Sequence, residues 1–159
     1  RFGVTPDVMT LAKSLCGGIA GGAMLTTAEI APSLRPGMHA ATFGGNPIAA
    51  RAGIACIEMI ESQNLLQNVA SLSQLFQQRL QTLQENCQWI REVRAAGMMI
   101  GIELDVEGGA VVEACMANGL LVNCTQGNIV RLLPAMTLTE DQAEQGCQIL
   151  ADAIRGLNP

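Results

Sequence analysis

Apolar residues recur at Leu65, Val69, Leu72, Leu75, Phe76, Leu80 and Leu83 among Gln and Ser. This three-and-four spacing predicts an amphipathic helix lying on the surface of a core. Just upstream, Pro47 opens the apolar run Ile48-Ala49-Ala50-Arg51-Ala52-Gly53-Ile54-Ala55-Cys56-Ile57. A proline at a first helical turn loses no hydrogen bond, so the run predicts a second helix, apolar enough to be buried on most sides. Before it the texture is rich in Gly, Pro and Thr, and two short apolar stretches, 8–12 and 23–27, predict strands separated by a glycine cluster. Beyond Trp89 the pattern predicts a strand pair at 90–93 and 98–104, then a helix at 111–117 closed by Asn118-Gly119. Strands at 120–123 and 129–133 follow, split by the turn-forming Gln126-Gly127-Asn128. The last helix runs to about Ile154, with Thr139 placed to cap it and Gln142 placed to reach back. The second half therefore reads as an α+β unit joined by a helix to a glycine-rich front, with no internal repeat.

Composition narrows the classes. With 49% apolar and 14% charged residues, the 159-residue chain has enough apolar surface for a core and too little charge for a disordered polymer. The net charge is -5 and the pI near 4.8. No run of Lys or Arg offers the footprint that nucleic-acid phosphates or an anionic membrane would need. Every apolar run falls short of the roughly 18 residues of a bilayer span, so the reading is a soluble protein partnered by neither nucleic acid nor membrane. The six cysteines lie far apart, without Cys-x-x-Cys and with one histidine to help them. They predict reduced thiols, no metal site and a cytoplasmic location. The chain starts at Arg1 rather than Met and nothing like a signal peptide precedes its first strand, which reads as the loss of the true start.

Lys13 is the single lysine, placed where the first predicted strand gives way to Cys16-Gly17-Gly18. An amine at a strand end beside flexible backbone can reach a site in front of the sheet, although on position alone a surface lysine fits as well. Thr42, followed by Gly44-Gly45 before a helix, could cradle an anion or form a plain turn. Arg131 ends an apolar strand, where a salt bridge to a nearby carboxylate is as natural as a functional role. His39 has no evident catalytic role.

Four segments together resemble the class-III pyridoxal-phosphate (PLP) aminotransferases. They are Phe2-Gly3-Val4-Thr5-Pro6-Asp7-Val8-Met9-Thr10-Leu11-Ala12-Lys13, the loop His39-Ala40-Ala41-Thr42-Phe43-Gly44-Gly45-Asn46-Pro47, residues 93–104, and residues 119–134 around Arg131. The resemblance runs the length of the chain and implies the C-terminal part of a fold-type-I α/β chain. Residues 1–62 would be the remnant of the large PLP-binding domain with its linking helix, and 63–159 a small α+β domain. It implies that Lys13 bonds to the PLP aldehyde and moves the substrate proton, work that needs a neutral amine and is helped by a partly buried site. It further implies that Thr42 binds the phosphate of the partner subunit's PLP across a homodimer with shared active sites, and that Ala41 and Arg131 contact the substrate.

Leu132-Leu133-Pro134 and the Thr42 loop look closest to acetylornithine aminotransferases. The expected reaction is transfer of the amino group of N2-acetyl-L-ornithine to 2-oxoglutarate in arginine biosynthesis. Succinyldiaminopimelate, ornithine and 4-aminobutyrate are alternative donors, and a non-catalytic dimerisation or folding module is the alternative from another class. Ala40, Ala41, Ala95 and Ile19-Ala20-Gly21-Gly22 depart from the family's usual residues. The family's pyridine-pairing aspartate, stacking aromatic ring, first phosphate turn and a further substrate arginine are expected upstream of Arg1, so the fragment alone is expected to be inactive.

Overall fold

A computed structural model describes residues 3–157, so Arg1, Phe2, Asn158 and Pro159 lie outside the described residues. The chain divides into two units, Arg1–Gln63 and Asn64–Pro159.

In the first unit, strands β1 (Val8–Leu11) and β2 (Ala23–Thr26) pair antiparallel, Val8 opposite Thr26 and Leu11 opposite Ala23. The connection between them begins with a one-turn 3-10 helix, Lys13–Cys16, which packs against helix α1 (Pro47–Ser62). Cys16 is buried there. Gly21 is required by that close approach, because a Cβ at this position would lie 2.5 Å from the Cys16 Sγ. Helix α1 begins as its sequence predicts, with Pro47 in its first turn and Asn46 Oδ1 accepting from the Ile48 N–H at 2.8 Å. The expectation that α1 is buried on most sides is not met. Gly53 is its one buried residue, while Ile48 is 69% and Met59 49% exposed. The helix has too few neighbours in this small unit to cover an apolar surface of that width.

The second unit is built on a four-stranded antiparallel sheet. Its strands are β3 (Ile90–Ala96), β4 (Met99–Leu104), β5 (Asn123–Thr125) and β6 (Ile129–Leu132), in the order β3-β4-β6-β5. Alternation assigns the faces: Ile100, Ile102, Leu104, Val130 and Leu132 are buried, as a one-sided sheet requires. They join a core with Leu72, Phe76, Leu80 and Leu83 of α2 (Leu65–Glu85), Val111 and Cys115 of α3 (Gly109–Ala117), and Leu150 and Ile154 of α4 (Glu140–Arg155). The spacing read for α2 thus corresponds to its buried stripe. Thr139 and Gln142 form the expected reciprocal cap of α4. The segment before this cap is pinned by Asn68, whose Nδ2 donates to the carbonyls of Met136 and Leu138 at 2.8 and 3.0 Å.

Two strands differ from expectation by more than one residue. β3 continues to Ala96 because β4 offers partners as far as the Ala96–Met99 pair. Residues 120–122 are not strand; β5 starts at Asn123, because pairing with the short β6 spans only Asn123–Arg131 to Thr125–Ile129. Among the described residues, no helix is long and apolar enough to cross a membrane.

Helix α4 also carries Cys147, whose thiol is pushed up to about 11, first by burial and then by the nearby Glu144 carboxylate. A thiol that ionises later in the folded state than in the unfolded one favours folding below its ordinary value. That contribution is lost as pH rises through the folded value. Denaturant unfolding should therefore show stability declining between about pH 9 and 11, with a shallower decline in Cys147→Ala. An equally steep decline in that variant would assign the effect to another group.

Candidate active site

Lys13 lies two residues beyond the end of β1, at the start of the 3-10 turn held by Leu15 N–H to Ala12 O (3.2 Å) and Gly17 N–H to Ser14 O (3.0 Å). Its φ is 57°, a left-handed conformation that costs a side-chain-bearing residue about 1–2 kcal/mol. Asn64 and Gln126 share this feature, but each stands at a simple junction between elements and neither has a reactive side chain. A reactive residue kept in a strained conformation is a common mark of a functional position. The Lys13 side chain is exposed in this chain.

Thr42 sits in a loop of two successive turns, Gly44 N–H to Ala41 O (3.0 Å) and Asn46 N–H to Phe43 O (3.2 Å). Gly45 takes a φ of 72° at the second turn, a value that glycine adopts without a Cβ clash. The N–H groups of Thr42, Phe43 and Gly45 and the Thr42 hydroxyl have no partner among the described residues. Free amides, a hydroxyl and a helix N-terminus a few residues on are the donors an anion needs. The loop borders a cavity of about 940 Å³, together with residues such as Leu11, Cys16, Gly21 and Leu25. Ala41 and Thr42 are thus brought to one cavity, and Lys13 is not among the residues lining it. No carboxylate lines it either.

Arg131 belongs to the second unit, on the exposed face of β6. Neighbouring arginines on that sheet are paired with carboxylates. Arg91 contacts Glu103 at 3.0 Å and Asp105 at 2.7 Å; Arg94 contacts Glu103 at 2.7 Å and also Glu92. Hydrogen bonds from Arg94 first, and then from Arg91, hold the Glu103 carboxyl below its ordinary range. Arg131 has no carboxylate within 4.0 Å among the described residues, so the salt-bridge alternative is set aside. Its Nε instead donates to Asn123 Oδ1 at 3.2 Å. Sequence reasoning passed over Asn123, because only the β5–β6 register brings it opposite the arginine.

Comparison with known proteins places these features in a family. Residues 1–154 match the family described as aminotransferase class-III. The chain is 37% identical over 156 residues to an acetylornithine aminotransferase of Methanothermobacter thermautotrophicus, covering 98% of this chain and 40% of that protein. It superposes on the crystal structure of acetylornithine aminotransferase from Elizabethkingia anophelis with a TM-score of 0.89 and 32% identity, over 95% of this chain and 41% of the other. An ornithine aminotransferase of Plasmodium yoelii gives a TM-score of 0.92 at 27% identity, over 97% and 42%. The chain therefore spans about 40% of the length of the relatives it matches. Its α/β architecture is a portion of theirs, as the resemblance implied. With motifs and fold in agreement along nearly its whole length, the chain belongs to the class-III aminotransferase family.

Proposed function

We propose that this chain is a portion of a PLP-dependent aminotransferase that transfers the amino group of N2-acetyl-L-ornithine to 2-oxoglutarate, working in the cytoplasm as a homodimer with shared sites. The observation that carries the reading is Lys13, the only lysine in the sequence, held in a left-handed conformation just past the end of β1. PLP, when bound, supplies an electron sink for the negative charge that develops at the substrate Cα. Lys13 would hold the cofactor through its amine, and the same amine, free and neutral, would take the proton from the substrate Cα. The exposed position of Lys13 leaves it free to meet groups from the rest of the protein.

The Thr42 hydroxyl and the unpartnered amides of Thr42, Phe43 and Gly45 fit a phosphate. Lys13 does not line the cavity beside them, which accords with Thr42 serving the phosphate in the partner subunit's site while Lys13 serves its own. Arg131 receives the substrate carboxylate with an uncompensated guanidinium. Ala41, next to Thr42, lines the same cavity, where its methyl group would contact the substrate. The cavity residues account for the phosphate end of PLP and provide no carboxylate for its ring nitrogen. That partner belongs to the remaining length of the protein, and the 159 residues alone are expected to give no turnover.

The donor is chosen from the 37% identity to an acetylornithine aminotransferase. Ornithine is the second candidate, favoured by the superposition on the Plasmodium yoelii enzyme. The test is kcat/KM of the full-length protein with N2-acetylornithine, succinyldiaminopimelate, ornithine and 4-aminobutyrate, each with 2-oxoglutarate. The acetylated donor should lead by at least about 10-fold, the scale on which pocket contacts separate similar substrates. A higher value for any of the other three would replace it as the donor.

A further inference from the structure

The geometry points to Asn123 as a positioning residue that orients the Arg131 guanidinium, leaves its charge uncompensated and keeps its far end free for a substrate carboxylate. This inference rests on the reading of Arg131 given above. Asn123 stands directly opposite Arg131 in the β5–β6 ladder, and its Oδ1 accepts from Arg131 Nε at 3.2 Å. A guanidinium carries donors only, so the amide must present its oxygen. The bond occupies one side of the fork and leaves Nη1 and Nη2, which have no partner among the described residues, as a parallel pair suited to two-point contact with a carboxylate.

Chemistry separates this arginine from its neighbours. Arg91 and Arg94 are held by the carboxylates of Glu103, Asp105 and Glu92, which neutralise them. A neutral amide orients Arg131 without cancelling its charge. On the other side, Arg131 faces Gly101 of β4, a cross-strand neighbour with no side chain to compete for the guanidinium. Fixing a long, flexible side chain before binding removes an entropic penalty that the substrate would otherwise bear. The inferred role is therefore in substrate affinity, with no direct part in proton transfer.

The test is steady-state kinetics of the full-length protein carrying Asn123→Ala, Asn123→Asp or Arg131→Ala, with thermal melting as a check on folding. Asn123 is exposed on an edge strand, so its variants should melt near the parent temperature. Asn123→Ala should raise KM for the carboxylate substrates by about 10-fold with kcat nearly unchanged, near the low end of the scale of one lost hydrogen bond to a charged group. Asn123→Asp keeps an acceptor in place and adds the charge that Asn avoids, so its KM should rise further than that of the alanine variant. A purely structural role for the bond predicts the opposite order. Arg131→Ala should raise KM by at least about 100-fold. If Arg131→Ala does so while both Asn123 variants match the parent, or if Asn123→Asp is milder than Asn123→Ala, the role of Asn123 as a neutral positioning amide is overturned and the reading of Arg131 stands. An unchanged KM in Arg131→Ala overturns both.

Discussion

Replacing Lys13 with alanine in the full-length enzyme is expected to lower transamination by at least about 10³-fold, within the range that a positioned acid–base group contributes, while leaving the fold intact. The second half of that expectation follows from position. Lys13 is exposed, and no described contact in its turn uses its side chain: the bonds there run between backbone groups of Ala12, Ser14, Leu15 and Gly17. Lys13→Arg should fail equally, because a guanidinium stays protonated and neither attacks an aldehyde nor accepts a proton at working pH. Lys13→Gly separates the two roles of the site. Glycine relieves the left-handed strain at a φ of 57°, so the variant should be at least as stable as the parent by thermal melting and inactive by assay. Activity within 10-fold of the parent in the alanine variant would remove Lys13 from the chemistry.

The largest effect on stability is expected at Ile102. It lies in β4, flanked by Val93 on one side and Val130 on the other, and no part of it reaches solvent. Ile102→Ala removes apolar atoms from the middle of the sheet's buried face and leaves a hole that the paired strands cannot close by moving. Losses of about 2–5 kcal/mol are typical of such sites, a large share of the stability of a small domain. Denaturant unfolding of the chain should show the midpoint falling with little change in slope. Leu66→Ala, at a helix position 69% exposed, should move the midpoint by no more than about 0.5 kcal/mol. Equal effects at the two positions would contradict the assignment of the core.

The difference between these two leucine-and-isoleucine sites shows what the sequence made legible. In α2 the buried positions Leu72, Phe76, Leu80 and Leu83 stand out because polar residues surround them. Periodicity then reads the buried face directly. In α1 nearly every position is apolar, so composition could not separate Cys16's neighbour Gly53 from the exposed Ile48, Ile54 and Met59. Burial there depends on what else is nearby, which a local pattern does not encode. The start of β5 failed for a related reason. Leu120, Leu121 and Val122 are good strand residues, but a strand exists only where a partner offers hydrogen bonds, and β6 offers them from Asn123 onward.

The candidate site divides in the same way. Lys13, Ala41, Thr42 and Arg131 were found as side chains within motifs. The features that now give those residues physical meaning are the left-handed Lys13, the unpartnered amides of Thr42, Phe43 and Gly45, and the Asn123 partner of Arg131. Each belongs to the backbone or to cross-strand register. Residue identity alone is silent about both.

Borohydride reduction of the full-length protein in the presence of PLP, followed by peptide mass spectrometry, tests whether Lys13 carries the cofactor. The cofactor is expected to become permanently attached at Lys13, the single lysine of these 159 residues, and Lys13→Ala to abolish the label. A folded protein that binds PLP but carries the label on a lysine elsewhere, with Lys13 unmodified, would contradict that assignment.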